Sequence, residues 1–232
     1  MSDKPRGILL DVEGTTSMVS YVYDVMFPFA RRGLGEYLDT NWDSDALTEV
    51  RQQVASDAKS TALGCDRQAF EAEIVRLMDA DIKATGLKQL QGLVWQAGFA
   101  SGELVAHVFD DVPPAFEQWK SQGIDLRVYS SGSAHAQRLF FAHSKAGNLL
   151  GYFSGHYDTT IGPKREAESY ERIAKDWELA PGEILFLSDV VAELDAAREA
   201  GMQTGLCLRP GNAEVEPGHG HAELQTFAEV VD

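Results

Sequence analysis

The chain has 232 residues, of which 44% are hydrophobic, so it is long enough and apolar enough to fold around a buried core. Its formal net charge is -16 at pH 7, and a charge of this sign repels nucleic acids and anionic membranes, so neither is an expected partner. The same charge repels a phosphorylated metabolite unless a cation or a local basic group reverses the sign of the potential at the binding site.

The cysteine content and the distribution of apolar residues predict the compartment. Cys65 and Cys207 are the only cysteines and lie in very different segments, which argues against a disulfide framework and favours a reducing cytoplasm. The amino terminus leads into the first apolar run without the longer apolar stretch of a signal peptide, and no run approaches the ~18 apolar residues of a membrane span. We therefore expect a soluble cytoplasmic protein, and a monomer because no exposed heptad seam is visible.

The first predicted strand ends in acidic residues. Residues 8–10 are apolar and are followed by Asp11, Glu13 and Gly14, a pattern typical of a buried strand that ends at a polar turn. Open parallel sheets bind their ligands at the carboxyl ends of strands, so Asp11 is a candidate functional residue. Taken alone, Asp11 is explained better by a strand that ends in an Asx-turn.

The segment that follows the first strand carries helical spacing and little strand signal. Pro28 forces a kink or a new helix start, and Ser44 and Asp66 are expected helix N-caps. The helix that begins after Asp66 is expected to close at Gly86. We predict that residues 17–108 form a helical unit inserted into another domain.

The second half of the chain alternates between strand and helix patterns. Repeated strand–helix units imply a parallel sheet with right-handed crossovers, so the predicted fold class is α/β, with a Rossmann-like sheet formed by residues 1–16 and 109–232. In the loop after the last predicted strand, we expect His219 and His221 to be solvated rather than to bind a metal. Strands are predicted at residues 126–129, 184–187 and 204–208.

Polar side chains at the ends of three predicted strands are expected to meet a lysine. Asp11, Ser130 and Asp189 each follow a strand, and Lys164 lies between the last two in the chain. Asp11 can attack phosphorus and form an aspartyl phosphate. Asp11 and Asp189 suffice as side-chain anchors for Mg²⁺, which prefers oxygen ligands and keeps several waters. Mg²⁺ and Lys164 would neutralise the phosphoryl oxygens and so overcome the repulsion by the acidic chain.

Each candidate also has an explanation without catalysis. Taken alone, Lys164 is explained as a solvated cation in a loop, and Asp189 is explained as the cap of the helix that follows it. Ser130 and Ser131 fit an N-cap pair for the next helix, although exposed amides at a helix start also favour an anion. Glu193, one turn after Asp189, either faces solvent or hydrogen-bonds to a metal-bound water.

These motifs resemble those of the haloacid dehalogenase phosphatase superfamily, in the same order. Asp11, Ser130, Lys164 and Asp189 match its four motifs. Most members carry Asp two residues after the nucleophile, whereas this chain carries Glu13. In this respect the chain resembles the bifunctional enolase-phosphatase branch of methionine salvage. The same resemblance is carried by the length of the insertion and by the segments DVEGTT, YDVMFP, VYSSGS, IGPK, LFLSDV and RPGN. The resemblance spans nearly the whole chain and is weakest in the helical insertion.

The resemblance implies a fold and a reaction. The fold would be a haloacid dehalogenase-like core, with residues 17–108 as the cap that closes over the site. The branch enolises 2,3-diketo-5-methylthiopentyl-1-phosphate and then removes its phosphate to give an acireductone. The implied site has Asp11 as nucleophile and Mg²⁺ ligand, Glu13 at the Mg²⁺ site through its backbone carbonyl, Ser130 and Ser131 on the substrate, Lys164 on the phosphate and Asp189 on the metal.

Glu13 also fits proton transfer on physical grounds. Its carboxyl group, free for proton transfer, would protonate the leaving oxygen, and the resulting carboxylate would later activate water. One methylene longer than Asp, it could also reach a carbon-bound proton for the enolisation, and a metal-bound carbonyl would make that proton more acidic. Two other functions remain open: a related capped phosphatase with another small phosphate ester as substrate, and a non-catalytic binding module, which intact catalytic motifs disfavour.

Overall fold

A computed structural model describes residues 4–230 of the chain. The strands of these residues form one six-stranded sheet in the order β3-β2-β1-β4-β5-β6, and every neighbouring pair is parallel. The predicted α/β class with a parallel sheet is therefore confirmed. The strands are β1 Gly7–Leu10, β2 Asp125–Tyr129, β3 Phe153–Tyr157, β4 Ile184–Ser188, β5 Gln203–Cys207 and β6 Ala222–Leu224. The short strand β6 had no counterpart among the predictions.

The central strand β1 is buried on both faces, which explains why its sequence is a continuous apolar run rather than an alternating one. Its register pairs Leu10 with Val128 of β2 on one side and with Leu187 of β4 on the other. The ladder continues one residue further, since the Asp11 amide donates to the Leu187 carbonyl at 3.0 Å. The carboxyl ends of β1, β2 and β4 therefore lie side by side at one edge of the sheet.

Eight α-helices lie within the described part of the chain, and none is long and apolar enough to cross a membrane. Helix α7 buries the apolar face that its spacing predicts, with Tyr170, Ile173 and Trp177 in the core cluster beside β4. The helices are α1 Phe27–Asn41, α2 Asp45–Asp57, α3 Arg67–Asp79, α4 Thr85–Ser101, α5 Val112–Ser121, α6 Ala134–Ala142, α7 Ala167–Trp177 and α8 Val191–Glu199.

The chain divides into two compact units. One comprises the described residues of Met1–Val22 and Val105–Asp232 and contains the whole sheet with α5–α8. The other, Tyr23–Leu104, contains α1–α4. The assignment of a core and a cap to these parts remains a prediction.

In the helical unit, the starts of α1, α2 and α3 agree with the positions predicted from Pro28 and from the capping residues. Pro28 lies in the first turn of α1, and the Ser44 and Asp66 side chains accept from backbone amides as N-caps of α2 and α3. The predicted closure of α3 at Gly86 is wrong, because α3 ends at Asp79 and Gly86 lies in the first turn of α4. Gly86 is needed there for packing: a Cβ atom would lie 2.5 Å from Val54 Cγ2 of α2.

The expectation of solvated histidines is wrong: the His219 side chain is 8% exposed and lies 3.2 Å from Glu223, and that of His221 is not exposed at all. The His221 side chain has Nδ1 2.8 Å from the Thr204 hydroxyl and Nε2 3.2 Å from Asp195 Oδ1. Thr204 and Asp195 lie on β5 and α8, so this imidazole ties the loop before β6 to both elements. A loop histidine gives no local sign of such burial, which depends on residues 17 and 26 positions away.

A half-buried histidine of β3 makes stability depend on pH. Burial, then the charge of Arg138, lowers the pKa of His156 to about 4, and its Nδ1 lies 3.3 Å from Gln137 Oε1. The unfolded chain, with an ordinary histidine pKa of ~6.5, therefore binds more protons in this interval. We expect the free energy of unfolding to fall as the pH drops from about 6.5 toward 4, and His156→Gln to reduce that slope in urea titrations. An unchanged slope in the variant would contradict the assignment.

Candidate active site

The Asp11 carboxylate lies just beyond β1, at the carboxyl edge of the sheet. Its Oδ1 accepts the Val12 amide at 2.8 Å, and its Oδ2 lies 3.2 Å from the Ser188 hydroxyl at the end of β4. The residue is only 3% exposed. The bond to Oδ1 comes from the adjacent amide, whereas an Asx-turn uses the amide two residues on, so the Asx-turn expected for Asp11 taken alone is not formed.

The loop that carries Lys164 is held by three buried hydroxyl groups. They donate to the three consecutive carbonyls of residues 162–164, in order from Tyr129 (2.8 Å), Ser169 (2.8 Å) and Tyr170 (2.6 Å). Tyr129 ends β2, and the other two donors lie in α7. The backbone below Lys164 is therefore tied to elements on either side of it, which fixes where the long side chain starts.

The ammonium of Lys164 lies between two carboxylates. Its Nζ is 2.7 Å from Asp11 Oδ2 and 2.6 Å from Glu193 Oε2, and all three side chains are buried. Burial alone would lower the pKa of Lys164, but the charges of the two acids more than reverse this and raise it. Burial, followed by the charge of Asp11, raises the pKa of Glu193 to about 7 against the opposing effect of Lys164. Lys164 is thus a structured, charged member of the site and no solvated loop cation.

Glu13 and Ser130 meet across the edge of the sheet. The Ser130 hydroxyl donates to Glu13 Oε2 at 3.2 Å, and it accepts the Gly132 amide at 3.2 Å. Desolvation, followed by the charge of Asp11, raises the pKa of Glu13. A carboxyl group with a raised pKa holds its proton more readily than an ordinary glutamate, which suits a group that gives and takes a proton.

Asp189 lies against the turn that follows β1. Its pKa is raised to about 7, first by burial and then by the charge of Asp11. A Cβ atom built on Gly14 would lie 2.1 Å from Asp189 Oδ2, and Gly14 has a φ of +70°. Only glycine allows both the left-handed backbone and this close approach of the carboxylate.

We expect Gly14→Ala to displace the Asp189 carboxylate and therefore to raise the Mg²⁺ concentration needed for half-maximal activity. Gly123→Ala is the matched control, since Gly123 has a similar φ of +76° with nothing within 4 Å of the added Cβ. Both variants carry a backbone strain of about 1 kcal/mol, measurable by urea unfolding. Equal Mg²⁺ requirements in the two variants would show that the contact with Asp189 has no effect on metal binding.

The donor set fits a divalent cation. Asp11, Glu13, Asp189 and Glu193 face the single ammonium of Lys164, so the ionised cluster holds three more negative than positive charges. Within residues 4–230 no group of three or more His, Cys, Asp or Glu side chains is arranged as a metal site. Mg²⁺ does not require one, since one or two carboxylates, a carbonyl and several waters satisfy it.

A cavity of about 570 Å³ reaches one member of this cluster, Asp189. Its lining consists of Asp189, Val190 and Val191 together with residues 213–219 of the loop after β5. Asp11, Glu13, Lys164 and Glu193 do not line it, so this cavity borders the cluster only at Asp189.

The structure brings most of the predicted site residues together and adds two. Ser131 is the exception, being exposed on the loop after β2, and the N-cap of α6 is Ser133, so the predicted Ser130–Ser131 cap is wrong. Glu193, left open between solvent and metal-bound water, instead pairs with Lys164. Sequence reasoning missed Ser188, whose hydroxyl lies 3.2 Å from both Asp11 and Glu193. Its only sequence signal is its place directly before Asp189.

Known proteins are similar to this chain in amino-acid sequence. A model of the haloacid dehalogenase-like hydrolases matches residues 5–201. A protein of Drosophila willistoni named enolase-phosphatase E1 is 46% identical over 223 residues, which are 92% of this chain and 90% of the relative. A protein of the same name from Sorangium cellulosum is 45% identical over 219 residues, 94% of each chain. This chain belongs to the enolase-phosphatases of the haloacid dehalogenase-like hydrolases.

A solved structure shares the fold of this chain over nearly its whole length. The crystal structure of the UTR4 protein of Saccharomyces cerevisiae superposes with a TM-score of 0.83 at 31% sequence identity, and the match covers 97% of this chain and 100% of the yeast chain. Haloacid dehalogenase-like hydrolases generally use Mg²⁺, in agreement with the donor set at the edge of the sheet. The individual roles of the enolase-phosphatase residues in this chain remain predictions.

Proposed function

We propose that the chain is an acireductone synthase of L-methionine salvage. It converts 2,3-diketo-5-methylthiopentyl-1-phosphate into the acireductone 1,2-dihydroxy-3-keto-5-methylthiopentene and phosphate. The observation that carries the proposal is the meeting of Asp11, Lys164, Ser130 and Glu13 at neighbouring strand ends, with Lys164 Nζ 2.7 Å from Asp11 Oδ2 and Ser130 Oγ 3.2 Å from Glu13 Oε2. Membership of the enolase-phosphatases supports the choice of substrate.

Phosphate removal follows from the positions of four side chains. Asp11 attacks phosphorus and forms an aspartyl phosphate, while Lys164 and Ser130 bind the phosphoryl oxygens. Glu13, whose pKa is raised by desolvation and by the charge of Asp11, gives a proton to the leaving oxygen. In the second half Glu13, now a carboxylate, takes a proton from the water that hydrolyses the aspartyl phosphate, which restores the Asp11 carboxylate and the protonated form of Glu13.

The enolisation precedes phosphate loss and needs a base. The product carries its double bond between C1 and C2, so a proton leaves C1 and the C2 oxygen gains one. Glu13 is the carboxyl group that we assign to this transfer, because it lies beyond the strand and is one methylene longer than the usual Asp. Ser130 orients its carboxylate through the 3.2 Å hydrogen bond.

Asp11 and Asp189, with the backbone carbonyl of Glu13, are the groups that we propose hold Mg²⁺. The cation would offset the excess of negative charge in the cluster, polarise the substrate carbonyl and stabilise charge on the phosphoryl oxygens. Ser131 is proposed as a substrate contact from the loop after β2, where its exposed side chain is accessible.

Ultraviolet monitoring alongside phosphate release tests the proposal. With the diketone phosphate and Mg²⁺ we expect an absorbing enediol to form and phosphate to follow, and we expect EDTA to stop phosphate release until Mg²⁺ is restored. A panel of other small phosphate esters is the comparison. Preference for a panel member without the diketone would assign the chain another substrate, and turnover unaffected by EDTA would contradict the metal.

Shortening the proposed base should separate the two half-reactions. We expect Glu13→Asp to lower the rate of enediol formation more than the rate of phosphate release from preformed enol phosphate, by roughly 10- to 100-fold, because its carboxylate no longer reaches C1. The two rates are read from absorbance and from free phosphate in single-turnover experiments. If both rates stay intact, Glu13 is not the enolisation base.

A further inference from the structure

The turn that carries Glu13 pairs amides with carbonyls inside itself but leaves three of its carbonyls to donors elsewhere in the chain. The amides of Thr15, Thr16 and Ser17 all donate to the Val12 carbonyl at 3.0–3.3 Å. The Gly14, Thr15 and Thr16 carbonyls are left to accept from other parts of the chain. The turn is therefore held in place from outside, by whatever donates to these three oxygens.

Two side chains from the segment after β5 reach this turn. Asn212 Nδ2 donates to the Gly14 carbonyl at 2.8 Å and to the Cys207 carbonyl at 3.0 Å. Arg209 Nε donates to the Thr15 carbonyl at 3.0 Å. The amide orientation of Asn212 is set by these bonds, since the reverse orientation would place Oδ1 against two carbonyl oxygens.

The guanidinium group of Arg209 is buried and is held by several contacts. The Arg209 side chain is 3% exposed, and Nη1 lies 2.7 Å from Asp111 Oδ2 and 2.9 Å from the Gln225 carbonyl. The guanidinium lies 4.8 Å above the Phe109 ring and 4.3 Å above the Phe227 ring. A buried guanidinium with fixed partners on several sides is a rigid support rather than an adaptable surface contact.

We propose that Asn212 and Arg209 are positioning residues of the active site, which hold the turn after β1 and thereby place the Glu13 carboxylate next to Ser130. Asp11 depends less on them, because the sheet, Ser188 and Lys164 hold it directly. The proposal rests on the function assigned to Glu13 above. Loss of either donor leaves a carbonyl of the turn unpaired, and the turn gains freedom at the position of the acid/base.

Replacing Asn212 with alanine tests the proposal. We expect kcat for the diketone phosphate to fall roughly 10- to 100-fold with little change in KM, because Glu13 is misplaced while Lys164 is not. In a Glu13→Gln background the same substitution should change kcat less than about twofold, since the residue through which it acts is already lost. A merely structural role would instead lower kcat by the same factor in both backgrounds, and that result would overturn the proposal.

Hydrogen exchange gives a second readout that requires no substrate. The amides of residues 14–17 should exchange faster in Asn212→Ala than in the unaltered protein. Asn41→Ala is the matched control, because Asn41 Nδ2 also donates to a backbone carbonyl, at 2.9 Å, but in the helical unit. Unchanged exchange at residues 14–17 would overturn the proposal. If Asn212→Ala does not fold, Asn212→Ser, which keeps a shorter donor, takes its place with the same expectations.

The two readouts separate this proposal from the assigned function. Failure of the unaltered protein to convert the diketone phosphate would refute the function. The exchange comparison would then still decide whether Asn212 holds the turn. Normal conversion together with unchanged exchange would refute the positioning role alone.

Discussion

Replacing Asp11 with asparagine is expected to abolish phosphate release, with a loss of kcat on the order of 10⁴-fold, because the substitution removes the carboxylate that forms the covalent intermediate. The asparagine side chain keeps the size of Asp11 and can still accept the Val12 amide, so the turn after β1 should be preserved. Phosphate release from the diketone phosphate is the measurement, and acid-quenched enzyme from the unaltered protein should carry the phosphoryl group that the variant lacks.

The control for this substitution is Asp110→Asn. Asp110 is also paired with a lysine, at 2.8 Å from Lys145 Nζ, but its side chain is 94% exposed. We expect kcat of this variant to stay within about twofold, as is usual for a surface pair worth less than ~1 kcal/mol. Substantial phosphate release by Asp11→Asn would refute the assignment of the nucleophile.

The substitution Lys164→Met should impair both folding stability and catalysis. It removes the ammonium that lies 2.7 Å from Asp11 and 2.6 Å from Glu193 and leaves two buried carboxylates without a counter-ion. We expect the free energy of unfolding to fall by about 3 kcal/mol, as when one partner of a buried ion pair is deleted. We also expect kcat/KM to fall on the order of 10³-fold, because the phosphoryl oxygens lose a fixed positive charge.

Lys145→Met provides the comparison for Lys164. The same change of side chain there breaks the exposed pair with Asp110, and its effect on unfolding should stay within about 0.5 kcal/mol. Urea unfolding at pH 7 measures both variants. Added Mg²⁺ should recover part of the stability lost by Lys164→Met, since a cation at Asp11 reduces the uncompensated charge. An equal effect of the two substitutions would mean that the buried pairs at Lys164 add no stability.

The positions of Asp11 and Asp189 could be predicted from the sequence, whereas the pairing of Lys164 with Glu193 could not. That Asp11 and Asp189 lie at strand ends follows from two local patterns, an apolar run followed by an acid, and from the rule that parallel strands point the same way. The partner of Lys164 does not follow from any such pattern. Glu193 lies 29 positions away on α8, and whether it faces solvent or the cluster depends on how α8 rotates against β4. Periodicity left both orientations open.

Local sequence patterns were sufficient to predict the α/β class, the buried central strand, the N-caps at Ser44 and Asp66 and the acids that follow β1 and β4. Each of these depends on neighbours within a few positions, or on repetition along the chain, so local physical chemistry suffices to predict it. Two contacts were visible only in the folded chain: the support of the turn by Asn212, nearly two hundred residues away, and the close approach of Asp189 to Gly14. Such contacts form only when distant segments pack together. They could not be predicted, because a backbone carbonyl or the lack of a Cβ atom produces no periodic pattern in the sequence.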